Sequence, residues 1–157
     1  MPARYFVTGI GTEIGKTVVS SILVRALQAD YWKPVQSGDL DYTDTDKVTQ
    51  WAGLTPGRIH PETYRLNLPM SPHASAEADG VRIDLDQFQL PQTDKPLIIE
   101  GAGGLMVPLN EQDCIIDLIA KLKVPVVLVS RNYLGSINHT LLSIEALRSR
   151  DIPIAAL

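Results

Sequence analysis

The chain alternates short apolar runs with stretches whose apolar residues recur at helical spacing. Arg4-Tyr5-Phe6-Val7-Thr8 is rich in β-formers and ends at a glycine, which predicts a buried strand. Between Lys16 and Ala29, the residues Val19, Ile22, Leu23, Ala26 and Leu27 predict an amphipathic helix. Tyr31-Trp32-Lys33-Pro34-Val35 is expected to be extended, because Pro34 disfavours a helical Lys33. Residues 36–46 are polar and acidic and are expected to form a loop, followed by a short helix from Asp46 to Ala52 that stops near Gly53. Leu54 to Pro91 is rich in proline, shows no strong period and is expected to be mostly loop with short elements. Pro96-Leu97-Ile98-Ile99-Glu100 predicts a second buried strand, running into Gly101-Ala102-Gly103-Gly104. Asp113 is the expected N-cap of a helix that carries Ile115, Leu118, Ile119 and Leu122. Val126 to Val129 predicts a third buried strand, and Ile137, Leu141 and Ile144 mark another helix. Ile152 to Leu157 has the pattern of one more strand.

Unbroken apolar strands alternating with amphipathic helices predict an α/β fold, a doubly wound, mainly parallel sheet flanked by helices. In such sheets ligands bind at the carboxyl ends of the strands. That rule directs attention to the segments starting at Gly9, Lys33, Glu100 and Ser130. The length of 157 residues indicates one domain. A net charge of −4 argues against a general nucleic-acid partner, since phosphate backbones require clustered Lys and Arg. The single cysteine, Cys114, excludes an internal disulfide and a cysteine metal cluster, and is expected to be a buried small hydrophobe. The apolar run Val124 to Val129 is far too short to span a bilayer, so no membrane partner is expected. No signal-peptide pattern precedes the strand at Arg4, and a cytoplasmic location is expected.

The most specific chemistry lies between the first strand and the first helix. Gly9-Ile10-Gly11-Thr12-Glu13-Ile14-Gly15-Lys16-Thr17 has the composition of a loop that curls its N–H groups around phosphate, ending on a helix N-terminus. Lys16 is placed to reach the outer phosphates and the Thr17 hydroxyl to coordinate Mg²⁺. Five residues separate Gly9 from Gly15, so Ile10 stands where the usual G-x-x-x-x-G-K-[ST] pattern has glycine. Asp39, Asp41, Asp44 and Asp46 crowd one loop; either they are solvated or one of them helps to hold the metal, and the residues alone do not choose. Glu100, an acid at a strand's carboxyl end, suits a second metal contact, and the glycines after it allow close approach of a ligand. Lys33 is either an edge lysine reaching for water or an electrostatic catalyst beside the phosphate loop. Residues 130–138 are either a plain connector or a carboxylate site at a helix start. His60, His73 and His139 are isolated in sequence, and Trp32 and Trp51 are expected to be packing residues.

Taken together, these segments resemble the dethiobiotin synthetases, the ATP-dependent ring-closing ligases of biotin biosynthesis and members of the P-loop nucleotide hydrolase class. The resemblance is carried by Tyr5 to Gly9, Thr12 to Thr17, Lys33-Pro34-Val35-Gln36-Ser37-Gly38, Ser71-Pro72-His73, Glu100 to Gly104 and Gly135 to His139. It implies that Glu13, Ile14, Gly15, Lys16, Thr17 and Val18 bind nucleotide, together with Asp46, Glu100, Gly101, Ala102 and Gly103. Thr17, Asp46 and Glu100 are the implied Mg²⁺ positions, which selects Asp46 from the acidic cluster. Lys33 and Lys16 are the implied catalytic lysines. Thr12 and Ser37 match substrate-side positions, and Gly135, Ser136, Ile137 and Asn138 are implied to bind the substrate carboxylate from the neighbouring subunit of a homodimer. The implied substrates are ATP, CO₂ or bicarbonate, and 7,8-diaminononanoate. Family members continue past the position of Leu157 with segments that contact adenine and ribose, so the chain is expected to lack a base-binding segment. A partition-type P-loop ATPase switch is the alternative; it leaves Lys33 and Gly135 to His139 unexplained, and its usual early lysine is absent from Gly9 to Ile14. A nucleotide-binding remnant without turnover is a third reading.

Overall fold

The computed structural model describes residues 1–157. Strand β1 (Arg4–Gly9) lies inside a six-stranded sheet with β2 (Asp30–Trp32), β4 (Ile59–His60), β6 (Leu97–Gly104), β7 (Val126–Val129) and β8 (Ile154–Ala156). The order is β4-β2-β6-β1-β7-β8, and every pair is parallel. Alternate side chains enter opposite cores, as the two-residue period of a strand requires. Phe6, Trp32, Leu97, Ile99 and Val126 belong to one cluster, which α4 (Ile115–Leu122) and Leu147 of α5 (Ser136–Arg148) complete. Val7, Tyr31, Ile98 and Val129 face the other way, against Val24 of α1 (Lys16–Leu27) and Val48 of α2 (Asp44–Ala52). The sheet is therefore covered on both faces, as the unbroken apolar strands predict. No helix is long and apolar enough to cross a membrane.

Five local expectations change. Residues 36–46 are not all loop: β3 (Val35–Ser37) and β5 (Tyr64–Leu66) form a separate two-stranded parallel sheet, split from β2 at Lys33-Pro34. Proline has no N–H to continue the β2 ladder, so the chain changes sheets there. The helix expected from Asp46 begins at Asp44 and is capped by Thr43. The cap of α4 is Cys114 rather than Asp113, whose carboxylate is taken by the Asn110 amide at 2.9 Å. The Cys114 side chain and Asp117 make the reciprocal capping contacts. Cys114 itself is only partly buried, and Trp51 is exposed rather than packed. In the proline-rich stretch, α3 (Pro72–Ala78) starts on Pro72, where a missing N–H costs nothing.

Candidate active site

The carboxyl ends of β1, β2 and β6 open onto a cavity of about 690 Å³. Its floor is the glycine loop. Gly15 has φ of 102°, a left-handed conformation that suits glycine, and no side chain caps α1 behind it. The first-turn N–H groups of α1 therefore point at the cavity, where the helix dipole favours an anion. The unusual spacing of the loop has a packing cause. Ile10 lies against both cores, and Ile14 folds over Gly9 so closely that a β-carbon there would come within 2.2 Å of Ile14 Cδ1. The Arg131 guanidinium, from beyond β7, donates to the Glu13 carbonyl at 3.2 Å and braces the curl.

Charged groups meet above this floor. Lys16 Nζ donates to the Gly11 carbonyl at 3.0 Å, so its ammonium folds back along the loop. The Thr17 hydroxyl donates to Glu100 Oε1 at 2.8 Å. Lys33 Nζ lies 2.9 Å from Asp44 Oδ2, 3.5 Å from Glu100 Oε1 and 3.3 Å from the Gly101 carbonyl. Asp44 also pairs with Lys47 at 3.2 Å. Lys33 is 4% exposed, which removes the explanation of an edge lysine reaching for water. Burial is the largest influence on Lys33 and pulls its pKa down, but Glu100 and Asp44 together outweigh it, so the ammonium is held charged. Burial likewise pushes the Asp44 carboxyl up, and Lys33 and Lys47 more than reverse it. For Lys16 the balance goes the other way: burial, then the Lys33 ammonium, bring its pKa below the ordinary lysine value.

Thr12, Glu13, Ile14, Gly15, Lys16, Thr17 and Val18 all line the cavity, as do Lys33, Ser37, Glu100, Gly101, Ala102 and Gly103. Asp46 does not, and this corrects the choice made within the acidic cluster. Its Oδ2 accepts from the Thr43 N–H at 2.8 Å and the Thr43 hydroxyl at 2.7 Å, which closes the capping box of α2 and holds its pKa low. Asp44, two residues earlier, faces the cavity instead. The pattern Thr43-Asp44-Thr45-Asp46 carries the signal, because a threonine followed three residues later by an acid commits that acid to the backbone. Asp39, Lys47 and Trp51 also reach the cavity wall.

A divalent cation fits the donor set. No three His, Cys, Asp or Glu side chains form a metal cage by themselves. Mg²⁺ does not need one, since one or two carboxylates with substrate phosphates and water suffice. Thr17, Glu100 and Asp44 offer hard oxygens, and the Lys33 ammonium already sits between the two carboxylates, at a point that accepts a positive charge.

A family model described as an AAA domain matches residues 3–157. The ATP-dependent dethiobiotin synthetase of Christiangramia forsetii is 58% identical over 152 residues, covering 97% of this chain and 73% of that protein. That of Rhodopseudomonas palustris strain TIE-1 is 56% identical over 154 residues, with 98% and 73% covered. The chain belongs to the dethiobiotin synthetase family. It spans about three quarters of the length of these curated relatives. Among solved structures, the signal recognition particle receptor FtsY of Elizabethkingia anophelis is similar at a TM-score of 0.47 and 14% identity, over 97% of this chain and 48% of that one. That likeness is too remote to bear on function.

In this member of the dethiobiotin synthetase family, Gly135, Ser136, Ile137 and Asn138 do not line the cavity. They open α5 after β7, with Gly135 at φ of 103°. Ile137 and Leu141, which mark that helix in the sequence, face outward with Leu142 rather than into the core.

Proposed function

We propose that this chain performs the ATP-dependent ring closure of 7,8-diaminononanoate with CO₂, giving dethiobiotin, ADP and phosphate. The observation that carries the proposal is the convergence of Lys16, Thr17, Lys33, Asp44 and Glu100 on one cavity, in a chain of this family. One amine adds to CO₂ and loses a proton, forming a carbamate. A carbamate oxygen attacks the γ-phosphorus, ADP leaves, and a carbamic–phosphoric anhydride results. The second amine attacks the carbonyl carbon, phosphate leaves, and the five-membered urea closes.

Carbamate formation and its attack on the γ-phosphorus place negative charge beside a triphosphate, and the cavity's residues suit that demand. The loop N–H groups and Lys16 hold the phosphates. Lys33, kept charged by its two carboxylate neighbours, stabilises the carbamate and the oxygen developing on phosphorus. Thr17, Glu100 and Asp44 hold Mg²⁺, which when bound offsets the triphosphate charge and polarises the phosphoryl oxygens. The Ser37 hydroxyl is buried on the cavity wall without a partner in the chain, so it is suited to a polar group of the diamine. Thr12 lines the same cavity near Gly103 and is assigned to the substrate side of the loop. Ring closure then gains mostly from holding the second amine against the activated carbonyl.

We assign residues 135–138 to the cavity of a second copy, where the start of α5 receives the substrate carboxylate. The exposed apolar residues Val18 and Ile22 on α1, and Ile137, Leu141 and Leu142 on α5, suit such a homodimer. A cytoplasmic location agrees with ATP and bicarbonate as co-substrates. The test is phosphate release with ATP and Mg²⁺, with and without diamine and bicarbonate. Release that requires both co-substrates supports ring closure. Release that ignores the diamine identifies a partition-type switch instead, and bound nucleotide without release identifies a remnant.

A further inference from the structure

One buried polar contact behind the cavity has no part in the chemistry above. Tyr31 is fully buried in the core between the sheet and α1 and α2, with Val24, Val48 and Ile98. Its hydroxyl does not reach the cavity wall. It donates instead to Glu100 Oε2 at 3.0 Å. The register explains the meeting: Tyr31 pairs with Ile98 on β6, and a two-residue step from Ile98 brings Glu100 to the same face. Phenylalanine would fill the same apolar space without a polar atom that must be satisfied, so the hydroxyl has work to do at its one acceptor.

The two oxygens of Glu100 have divided roles. Oε1 receives Thr17 and faces Lys33, while Oε2 receives Tyr31 alone. The last torsion of a glutamate is broad and nearly two-fold, so an unpinned carboxylate turns freely about it. A carboxylate oxygen can only accept, so the phenol O–H is the donor of this contact. We propose that Tyr31 is a positioning residue, which pins one oxygen of Glu100 from inside the core so that the other is presented to Thr17 and a divalent cation. The proposal rests on the assignment of Glu100 to the cation. Partners of metal ligands act in this way generally, by removing the rotational freedom the ligand would otherwise lose on binding.

The experiment titrates Mn²⁺ into the ADP-loaded chain and follows free Mn²⁺ by electron paramagnetic resonance, for the unsubstituted chain, Y31F, E100Q and the double variant. Tyr31→Phe is expected to weaken Mn²⁺ by about tenfold, as loss of such a partner usually does, while ADP affinity without metal is unchanged. In the E100Q background the same substitution is expected to cost nothing further, because Tyr31 acts through Glu100. Unchanged Mn²⁺ affinity in Y31F, with a loss in E100Q, overturns the proposal alone. An equal loss of metal-free ADP binding in Y31F overturns it too, as does a further loss of Mn²⁺ affinity in the double variant. E100Q binding Mn²⁺ as well as the unsubstituted chain overturns the assignment of Glu100 itself, and the proposal with it.

Discussion

Asp30 and Glu100 stand on adjacent strands with side chains only 5% and 0% exposed, yet they live in opposite circumstances. Asp30 opens β2 at the amino end of the sheet. It is enclosed by Arg58 Nε at 2.7 Å and the Thr93 hydroxyl at 2.5 Å, with His60 at 3.5 Å. Arg58 is fixed in turn by a hydrogen bond to the Gln28 carbonyl. Glu100 lies toward the carboxyl end, where two of its partners, Thr17 and Lys33, line a cavity. Burial of a charge therefore does not mark function by itself. The partners of Asp30 lock strands and loops together, whereas those of Glu100 face a space that a ligand enters.

Substitutions on the two sides should separate catalysis from stability. Lys16→Ala is expected to lower nucleotide turnover by roughly a hundred- to a thousandfold, as loss of one oriented transition-state donor does, with an unchanged circular dichroism spectrum. Unaltered turnover in that variant removes the phosphate-loop assignment. Asp44→Ala is expected to weaken the Mg²⁺ dependence of turnover by about tenfold or more, measured as the Mg²⁺ concentration at half-maximal rate. Asp30→Asn belongs to the other side. It leaves Arg58 half-satisfied and is expected to cost about 2 kcal/mol in urea unfolding at pH 7, with nucleotide affinity retained.

The pH dependence of that last difference follows from its sign. Burial pushes the Asp30 carboxyl up, but Thr93 and Arg58 outweigh it and hold the folded pKa below the ordinary 3.8. A depressed carboxylate adds stability that is complete above the unfolded value and is lost as pH falls through the folded one. The gap between Asp30→Asn and the unsubstituted chain should thus be constant near neutrality and shrink below about pH 4. Asp46→Ala is the smallest change. Opening the capping box should cost about 1 kcal/mol in the same unfolding measurement and leave the Mg²⁺ dependence untouched, the reverse of Asp44→Ala.

What the amino-acid sequence reveals of this follows the same division. Strands buried on both faces announce themselves as apolar runs, and the sheet with its two layers of helices matches them. The phosphate loop, Lys33 and Glu100 were visible because glycines, lysines and acids at strand ends are chemically conspicuous. Asp44 is one of four aspartates in a single loop; the capping role of Thr43 and Asp46 removes Asp46 from the choice, and only the contact with Lys33 singles out Asp44. Tyr31 reads as one more aromatic residue in a strand, since its contact with Glu100 spans 69 residues of sequence and exists only once β2 and β6 pair. The spacing of Ile137 and Leu141 predicts the helix that forms at Ser136–Arg148, but it does not say whether the stripe meets the chain's own core or a second copy.

The most direct test is a crystal structure grown with Mg²⁺, a non-hydrolysable ATP analogue and the diamine. The expected result is a triphosphate cradled by residues 9–17, with the γ-phosphate facing Lys33 and the cation against Thr17, Asp44 and Glu100. A loop left empty at saturating nucleotide, or phosphates bound away from Lys33 and Glu100, would contradict the assignment of this cavity.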